Sequence, residues 1–174
     1  MTVKKDTPLN ALYIHIPFCA RKCNYCDFNS IVSETKTIDR YLHALEKELS
    51  TLQGRYVFKT VFIGGGTPSV LTETQLEKIL SRVVRYIPAS RIQEYTIEVN
   101  PGTLTGKKVT LLKEYFVNRI SLGVQSLLVS QLNLLGRIHS SDDARNAFTL
   151  LRTNGFKNIN IDLIFGCPEQ SLDD

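Results

Sequence analysis

Three cysteines fall within eight residues, in the run Cys19-Ala20-Arg21-Lys22-Cys23-Asn24-Tyr25-Cys26. Thiolates at C-x3-C-x2-C spacing can grip one inorganic centre from a single loop. Three protein ligands leave one metal position open, which marks a reactive centre rather than a structural staple. Two centres fit. One is a [4Fe–4S] cluster with three cysteines on three irons and, on the fourth, a small molecule carrying an amino and a carboxylate group. The other is structural zinc closed by His15 or Cys167. His15 lies four residues before Cys19 on a stiff strand and cannot easily turn into the loop, so the spacing favours iron and sulfur. Cys167 stands far from the others and reads as a buried thiol.

The next chemical signal is Gly64-Gly65-Gly66-Thr67. Glycine lets backbone approach a ligand closely in a tight turn. The triplet lacks the G-x-G-x-x-G spacing and the lysine of a phosphate loop, so nucleotide phosphate is not its ligand. His15 shares a strand face with Tyr13; it either faces the same cavity or is a satisfied core histidine, and it stays out of the binding set. His139 is assigned no role.

These residues need elements to position them, and short apolar strands alternate with amphipathic helices. Leu12–Ile16 is a strand. Thr37 caps a helix whose apolar positions are Ile38, Tyr41, Leu42, Leu45, Leu49 and Leu52. Thr60–Ile63 is a second strand running into the glycines. Thr72-x-x-Gln75 forms a capping box for a helix carrying Leu76, Ile79, Leu80, Val83, Val84 and Ile87. Glu94–Val99 is strand three, followed by a helix around Lys107–Phe116. Strand four is Arg119–Leu122. A short helix near Val129–Leu135 precedes one at Asp142–Asn154, capped by Ser141 and ended by Gly155. Strand five is Asn158–Phe165. Five strands separated by helices imply a parallel α/β sheet with right-handed crossovers. In such sheets ligands gather at the carboxyl ends of the strands, and there lie the cysteine loop, the glycines, Glu98, Gly123-Val124-Gln125-Ser126 and Asp162.

Composition sets the limits. The 174 residues suffice for one domain, 43% hydrophobic and 22% charged. The net charge of +4, from 21 basic and 17 acidic residues, could help bind an anionic small molecule and is too weak and dispersed for nucleic acid. No apolar run approaches the ~18 residues that span a bilayer. Lys4 and Lys5 precede the apolar stretch Leu12–Cys19, but His15 and Pro17 interrupt it and bulky Phe18 precedes the cysteine, so it reads as a strand and not a signal peptide. Clustered cysteines fit metal binding in a reducing compartment, with cytoplasm as the default location. Ser171-x-x-Asp174 resembles the start of a capped helix; five units cannot close a barrel alone, and the chain is expected to be the N-terminal part of a longer protein.

Tyr13-Ile14-His15-Ile16-Pro17-Phe18 and the cysteines after it resemble the radical S-adenosylmethionine superfamily, more narrowly the oxygen-independent coproporphyrinogen III oxidase family and its heme chaperone branch. Supporting runs are Phe62–Ser69, Ile97–Gly102, Arg119–Ser126, Leu135–His139 and Ile161–Gly166, in matching order from Leu12 onward. The resemblance implies a partial (β/α) barrel of about five βα units, with residues 1–11 an N-terminal extension and 12–174 the first part of the core. It implies that Cys19, Cys23 and Cys26 hold a [4Fe–4S] cluster with exchangeable S-adenosylmethionine (SAM). Tyr13 and Tyr25 would contact SAM, and Gly65, Gly66 and Thr67 would lie beside its methionine part. Glu98, Gln125, Arg137 and Asp162 would bind the rest of it, or a second copy. Glu98 and Asp162 suit an amine or ribose hydroxyls, and Arg137 could pair bidentately with a carboxylate. In the superfamily the reduced cluster cleaves SAM to methionine and a 5′-deoxyadenosyl radical.

The resemblance leaves two functions. One is a chaperone that binds heme and hands it to client proteins. The other is decarboxylation of coproporphyrinogen III propionates in porphyrin synthesis. Decarboxylases of the family typically carry Cys-Gly-Cys, whose last residue is a fourth cysteine, where this chain has Cys26-Asp27-Phe28, which favours the chaperone; heme or substrate residues are expected beyond Asp174. Two other departures are Phe116, where relatives place a helix-ending glycine, so that the turn must close differently, and Leu127 in place of an aromatic residue.

Overall fold

A computed structural model of the chain describes residues 10–171. Lys4, Lys5 and most of the expected extension therefore lie outside the described residues, as does the end of the helix start expected at Ser171–Asp174. Five strands form one sheet in sequence order: β1 (Ala11–Ile16), β2 (Thr60–Gly65), β3 (Glu94–Val99), β4 (Arg119–Gln125) and β5 (Asn158–Leu163). Every neighbouring pair is parallel. Between them run α1 (Thr35–Ser50), α2 (Glu73–Tyr86), α3 (Gly106–Glu114), the short α4 (Val129–Leu134) and α5 (Ser141–Thr153). A strand order that never reverses is the order of an opened β/α barrel, since same-handed crossovers carry the connecting helices to one face. Among the described residues no helix is long and apolar enough to cross a membrane.

The two faces of the sheet differ in chemistry. Register aligns Ile14, Ile63, Ile97, Ile120 and Ile159 in one row across all five strands. The first four of that row and their neighbours, including Ile16, Val61, Tyr95, Val99 and Leu122, are buried with Leu42, Leu76, Leu80, Leu112 and Leu151 of the helices, and Ile159 packs against them half-buried. The opposite face follows from the strand period of two, and it carries Tyr13, His15, Phe62, Thr96, Glu98, Ser121 and Asp162. Parallel strands buried on both faces read as continuous apolar runs; these alternate, so one face is built for something other than packing.

Helix ends show where short-range reading succeeds and slips. The capping box of α2 is present: Thr72 Oγ1 accepts from the Gln75 N–H (3.3 Å) and Gln75 Oε1 from the Thr72 N–H (3.1 Å). Thr37 caps nothing, because α1 starts two residues earlier behind Glu34, and Thr37 donates its N–H to the Glu34 carbonyl inside the first turn. The cap of α5 is Ser140 and not Ser141; Ser140 and Asp143 bond reciprocally, side chain to backbone N–H, at 3.1 and 2.8 Å. Strand β4 runs to Gln125, beyond the expected Leu122, because Val124 still points into the core, while β5 ends at Leu163 and not Phe165.

Two further expectations are corrected. The turn after α3 does not close differently: Phe116 itself takes the left-handed conformation, at φ 66°. The Phe116 N–H bonds the Lys113 carbonyl (3.0 Å) and the Val117 N–H bonds the Leu112 carbonyl (2.9 Å), which is the Schellman pairing. Leu112 and Val117 are both buried there, supplying the apolar contact that accompanies this motif. Cys167 is not a buried thiol but a half-exposed one, because it follows the edge strand β5, where Phe165 is 91% exposed and no described element covers the chain.

Candidate functional site

The carboxyl ends of the strands and the loops after them enclose a cavity of about 500 Å³. Cys19, Cys23 and Cys26 line it, with Tyr25, Gly65, Gly66, Thr67, Glu98, Gln125, Arg137 and Asp162. Of the residues singled out for binding, Tyr13 does not line it; its ring stacks on Phe62, which does, with centroids 5.8 Å apart.

The cysteine loop is held at its neck and at its tip. At the neck the Cys19 N–H bonds the Ile31 carbonyl (2.9 Å) and the Ile31 N–H bonds the Pro17 carbonyl (2.8 Å). His15 adds a bond from Nε2 to the Asn29 carbonyl (2.9 Å) and accepts at Nδ1 from the Tyr13 hydroxyl (3.3 Å). It is therefore a satisfied histidine that pins the loop, not a ligand in it. At the tip, Asn24 donates from its backbone to the Leu135 carbonyl (3.0 Å) and from its side chain to the Leu134 carbonyl (2.9 Å). Asn24 thereby caps the end of α4. Gly136 makes room: its φ is +68°, and a Cβ there would come 2.8 Å from Asn24 Oδ1.

Around the sulfurs the donors are specific. The Thr67 hydroxyl points at Cys19 Sγ (3.7 Å) and Arg137 Nη1 at Cys23 Sγ (3.4 Å). A Cβ on Gly66 would sit 3.0 Å from Cys19 Sγ and 2.7 Å from the Phe18 carbonyl oxygen, so only glycine fits beside this thiol. Glycine is also required at position 65, where φ is +122°. All four cysteines are free. Hydrogen-bond donors turned toward unpaired thiols suit thiolates that ligate a cluster. Among the described residues no three of His, Cys, Asp and Glu converge on a point that could hold a single metal ion.

The walls carry acids of two kinds. Glu98 accepts the Gly65 N–H at Oε2 (3.0 Å). Burial pushes its pKa above the ordinary carboxylate value, partly offset by that bond. Asp162 accepts from the Ser121 hydroxyl (2.9 Å) and from Asn160 Nδ2 (2.6 Å), a polar ladder across β4 and β5. Gln125 sits at φ 68°, where the β4–β5 register jumps between Gly123 and Gln125. This left-handed non-glycine residue within a strand lies at the cavity wall, a common place for stored backbone strain.

Arg137 reaches further than expected. Nη2 donates to the Gly123 carbonyl (2.7 Å) and toward His139 Nδ1 (3.3 Å); Nη1 donates to Cys23 and to the Tyr25 hydroxyl (3.3 Å). Nε is buried without a partner. Each two-nitrogen fork of the guanidinium thus contains a committed nitrogen, so bidentate capture of a carboxylate requires one of these bonds to yield.

Reading along the chain missed several residues. Asn24 and Gly136 dock the cysteine loop, and the left-handed glycine after α4 was the available signal. Asn100, Thr103 and Ser121 also line the cavity. Beneath Asn100 and Thr103, Lys108 is 8% exposed and donates to the Ser69 (2.7 Å) and Thr103 (2.8 Å) carbonyls. It ties the loops after β2 and β3 together, and burial lowers its pKa. Nothing in the sequence separates it from exposed Lys107 beside it.

The radical SAM superfamily model matches residues 13–174. The heme chaperone HemW of Bacillus subtilis is 44% identical over 168 residues, covering 94% of this chain and 44% of that protein. The heme chaperone HemW of Escherichia coli is 41% identical over 172 residues, covering 96% and 45%. The structure of coproporphyrinogen III oxidase (HemN) from E. coli, a radical SAM enzyme, superposes with a TM-score of 0.85 at 31% identity, over 96% of this chain and 39% of that one. The chain spans less than half the length of these relatives.

Proposed function

The chain belongs to the radical SAM superfamily, and from that premise we propose that the whole protein is a heme chaperone, binding heme and passing it to client proteins. Residues 12–174 are then the first part of the radical SAM core and 1–11 an extension before it. The observation that carries the choice of branch is Phe28. It lines the cavity and is 70% exposed, placing a ring with no ligating atom where decarboxylating members of the family carry a cysteine. The 44% and 41% identities to heme chaperones point the same way. Coproporphyrinogen III decarboxylation is the second reading, supported by the 0.85 superposition on HemN.

The superfamily implies a [4Fe–4S] cluster and SAM. Cys19, Cys23 and Cys26 would hold the cluster and would leave one position open for SAM. When bound, the cluster supplies one electron for reductive cleavage of the SAM sulfonium. The chain's own residues bind and orient. Gly65 and Gly66 admit backbone close to the methionine part, with Thr67 beside them. Glu98 and Asp162 are acceptors for amine or ribose hydroxyls, Gln125 and Arg137 hold the remaining polar groups, and Tyr25, within the cysteine loop and on the cavity wall, contacts SAM. Tyr13, exposed beside Phe62, remains a SAM contact in this proposal. A thiol set of this kind belongs in a reducing compartment, so the cytoplasm is the proposed location.

The full-length protein tests this directly. After anaerobic reconstitution it should contain iron and sulfide and release 5′-deoxyadenosine on reduction; zinc with no sulfide would overturn the cluster. It should bind heme and transfer it to an apoprotein, and release no carbon dioxide from coproporphyrinogen III. Carbon dioxide release would replace the chaperone reading with the second one.

A further inference from the structure

His139 is a buried histidine beside the cavity that the proposed function does not use. It lies between α4 and α5 and is 4% exposed. Its Nε2 bonds the Val124 carbonyl (3.0 Å) and its Nδ1 faces Arg137 Nη2 (3.3 Å). A guanidinium can only donate and a carbonyl can only accept. The two bonds together therefore fix one neutral tautomer, with hydrogen on Nε2 and a lone pair on Nδ1. Burial, and then the charge of Arg137, lower the His139 pKa, in keeping with that neutral form.

We infer that His139 is a positioning residue that holds Arg137 on the sulfur of Cys23. The inference rests on the cluster assignment above. Nη2 spends its two hydrogens on Gly123 O and His139 Nδ1, which fixes the plane and rotation of the group. Nη1 is then left facing Cys23 Sγ and the Tyr25 hydroxyl. Removing the lone pair at Nδ1 removes one of two anchors, and the planar group can swing about the other. The consequence is electrostatic, since hydrogen bonds to cluster sulfurs help set the reduction potential. A donor on Cys23 stabilises the more negative, reduced cluster, so its loss moves the potential down.

Two substitutions of the full-length protein separate positioning from mere packing. Asn at 139 can offer an oxygen where Nδ1 stands but cannot reach Val124. Gln can reach Val124 but leaves no acceptor at the Nδ1 position. The readout is the cluster midpoint potential in an EPR-monitored redox titration, with iron and sulfide measured alongside. His139→Gln should shift the potential negative while His139→Asn stays near the unsubstituted protein. In an Arg137→Gln background, His139→Gln should add nothing further. Equal shifts in the Asn and Gln variants, no shift in either, loss of the cluster from both alike, or a full shift without Arg137 would each overturn the inference. Unsubstituted protein that assembles no cluster would instead overturn the cluster assignment beneath it.

Discussion

Glu98 sits at a conflict between stability and binding. Its carboxylate is half-buried and receives one backbone N–H, from Gly65. Burial raises its pKa above the ordinary 4.5, so between the unfolded and folded values the folded protein holds more protons. Its contribution to stability is thus full below about pH 4.5 and declines as pH rises through the folded pKa. Glu98→Gln removes that dependence and can still present an amide oxygen to Gly65. In urea unfolding, the variant should match or exceed the unsubstituted apoprotein at pH 7. It should also bind SAM roughly tenfold or more weakly, the usual scale for losing a hydrogen bond to a charged group. Isothermal titration of the reconstituted full-length protein checks the second half. A variant that binds SAM normally would remove Glu98 from the site.

At the scale of elements, loops are held by other loops. The cysteine loop closes on itself through Pro17 and Ile31 and leans on α4 through Asn24. The loops after β2 and β3 are joined by Lys108 and by the Ser69 hydroxyl, which accepts from the Asn100 N–H (2.9 Å) and reaches Thr103 Oγ1 (2.6 Å). Rigid support of this kind keeps a binding constellation in place. The end of α3 is the opposite case, a local cost with no ligand nearby. Phe116 holds a left-handed conformation while 61% exposed. A non-glycine residue pays about 1–2 kcal/mol there, and glycine gives part of that back through a freer unfolded chain. Phe116→Gly should therefore stabilise by up to about 1 kcal/mol, read as a higher urea midpoint at unchanged slope. A lower midpoint would mean that the Phe116 ring packs usefully.

For the whole molecule, the sheet presents a largely polar face to the cavity and an open edge. Among the described residues β5 has no neighbour beyond it, and Ile161 (44%), Leu163 (63%) and Phe165 (91%) are exposed along it. Unpaired edges with apolar side chains template association. The 174-residue chain by itself should elute in size exclusion above its monomer mass of 19.7 kDa, and Leu163→Lys should shift it toward monomer. A monodisperse monomer without the substitution would show that the edge is already protected.

Much of the architecture was legible because it rests on short-range rules. Periods of two and 3.6, the Thr72–Gln75 box and the glycine after α5 act over a few residues, so strand order, helix count and the cavity end of the sheet followed from spacing. Slips came where neighbouring residues could serve equally, as at Ser140 and Ser141, or where a local rule was overridden, as at Phe116. The cysteine spacing alone announced an open inorganic site. How its sulfurs are held was decided only by tertiary structure. Asn24 meets Leu134 across 110 residues and Arg137 meets Cys23 across 114. Such contacts depend on where the sheet's register and the turn at Gly136 bring two distant loops, and no local pattern encodes that distance. His139 looked idle in the chain for the same reason: its two partners, the Val124 carbonyl and the Arg137 guanidinium, face it only once β4 and the turn after α4 are folded together.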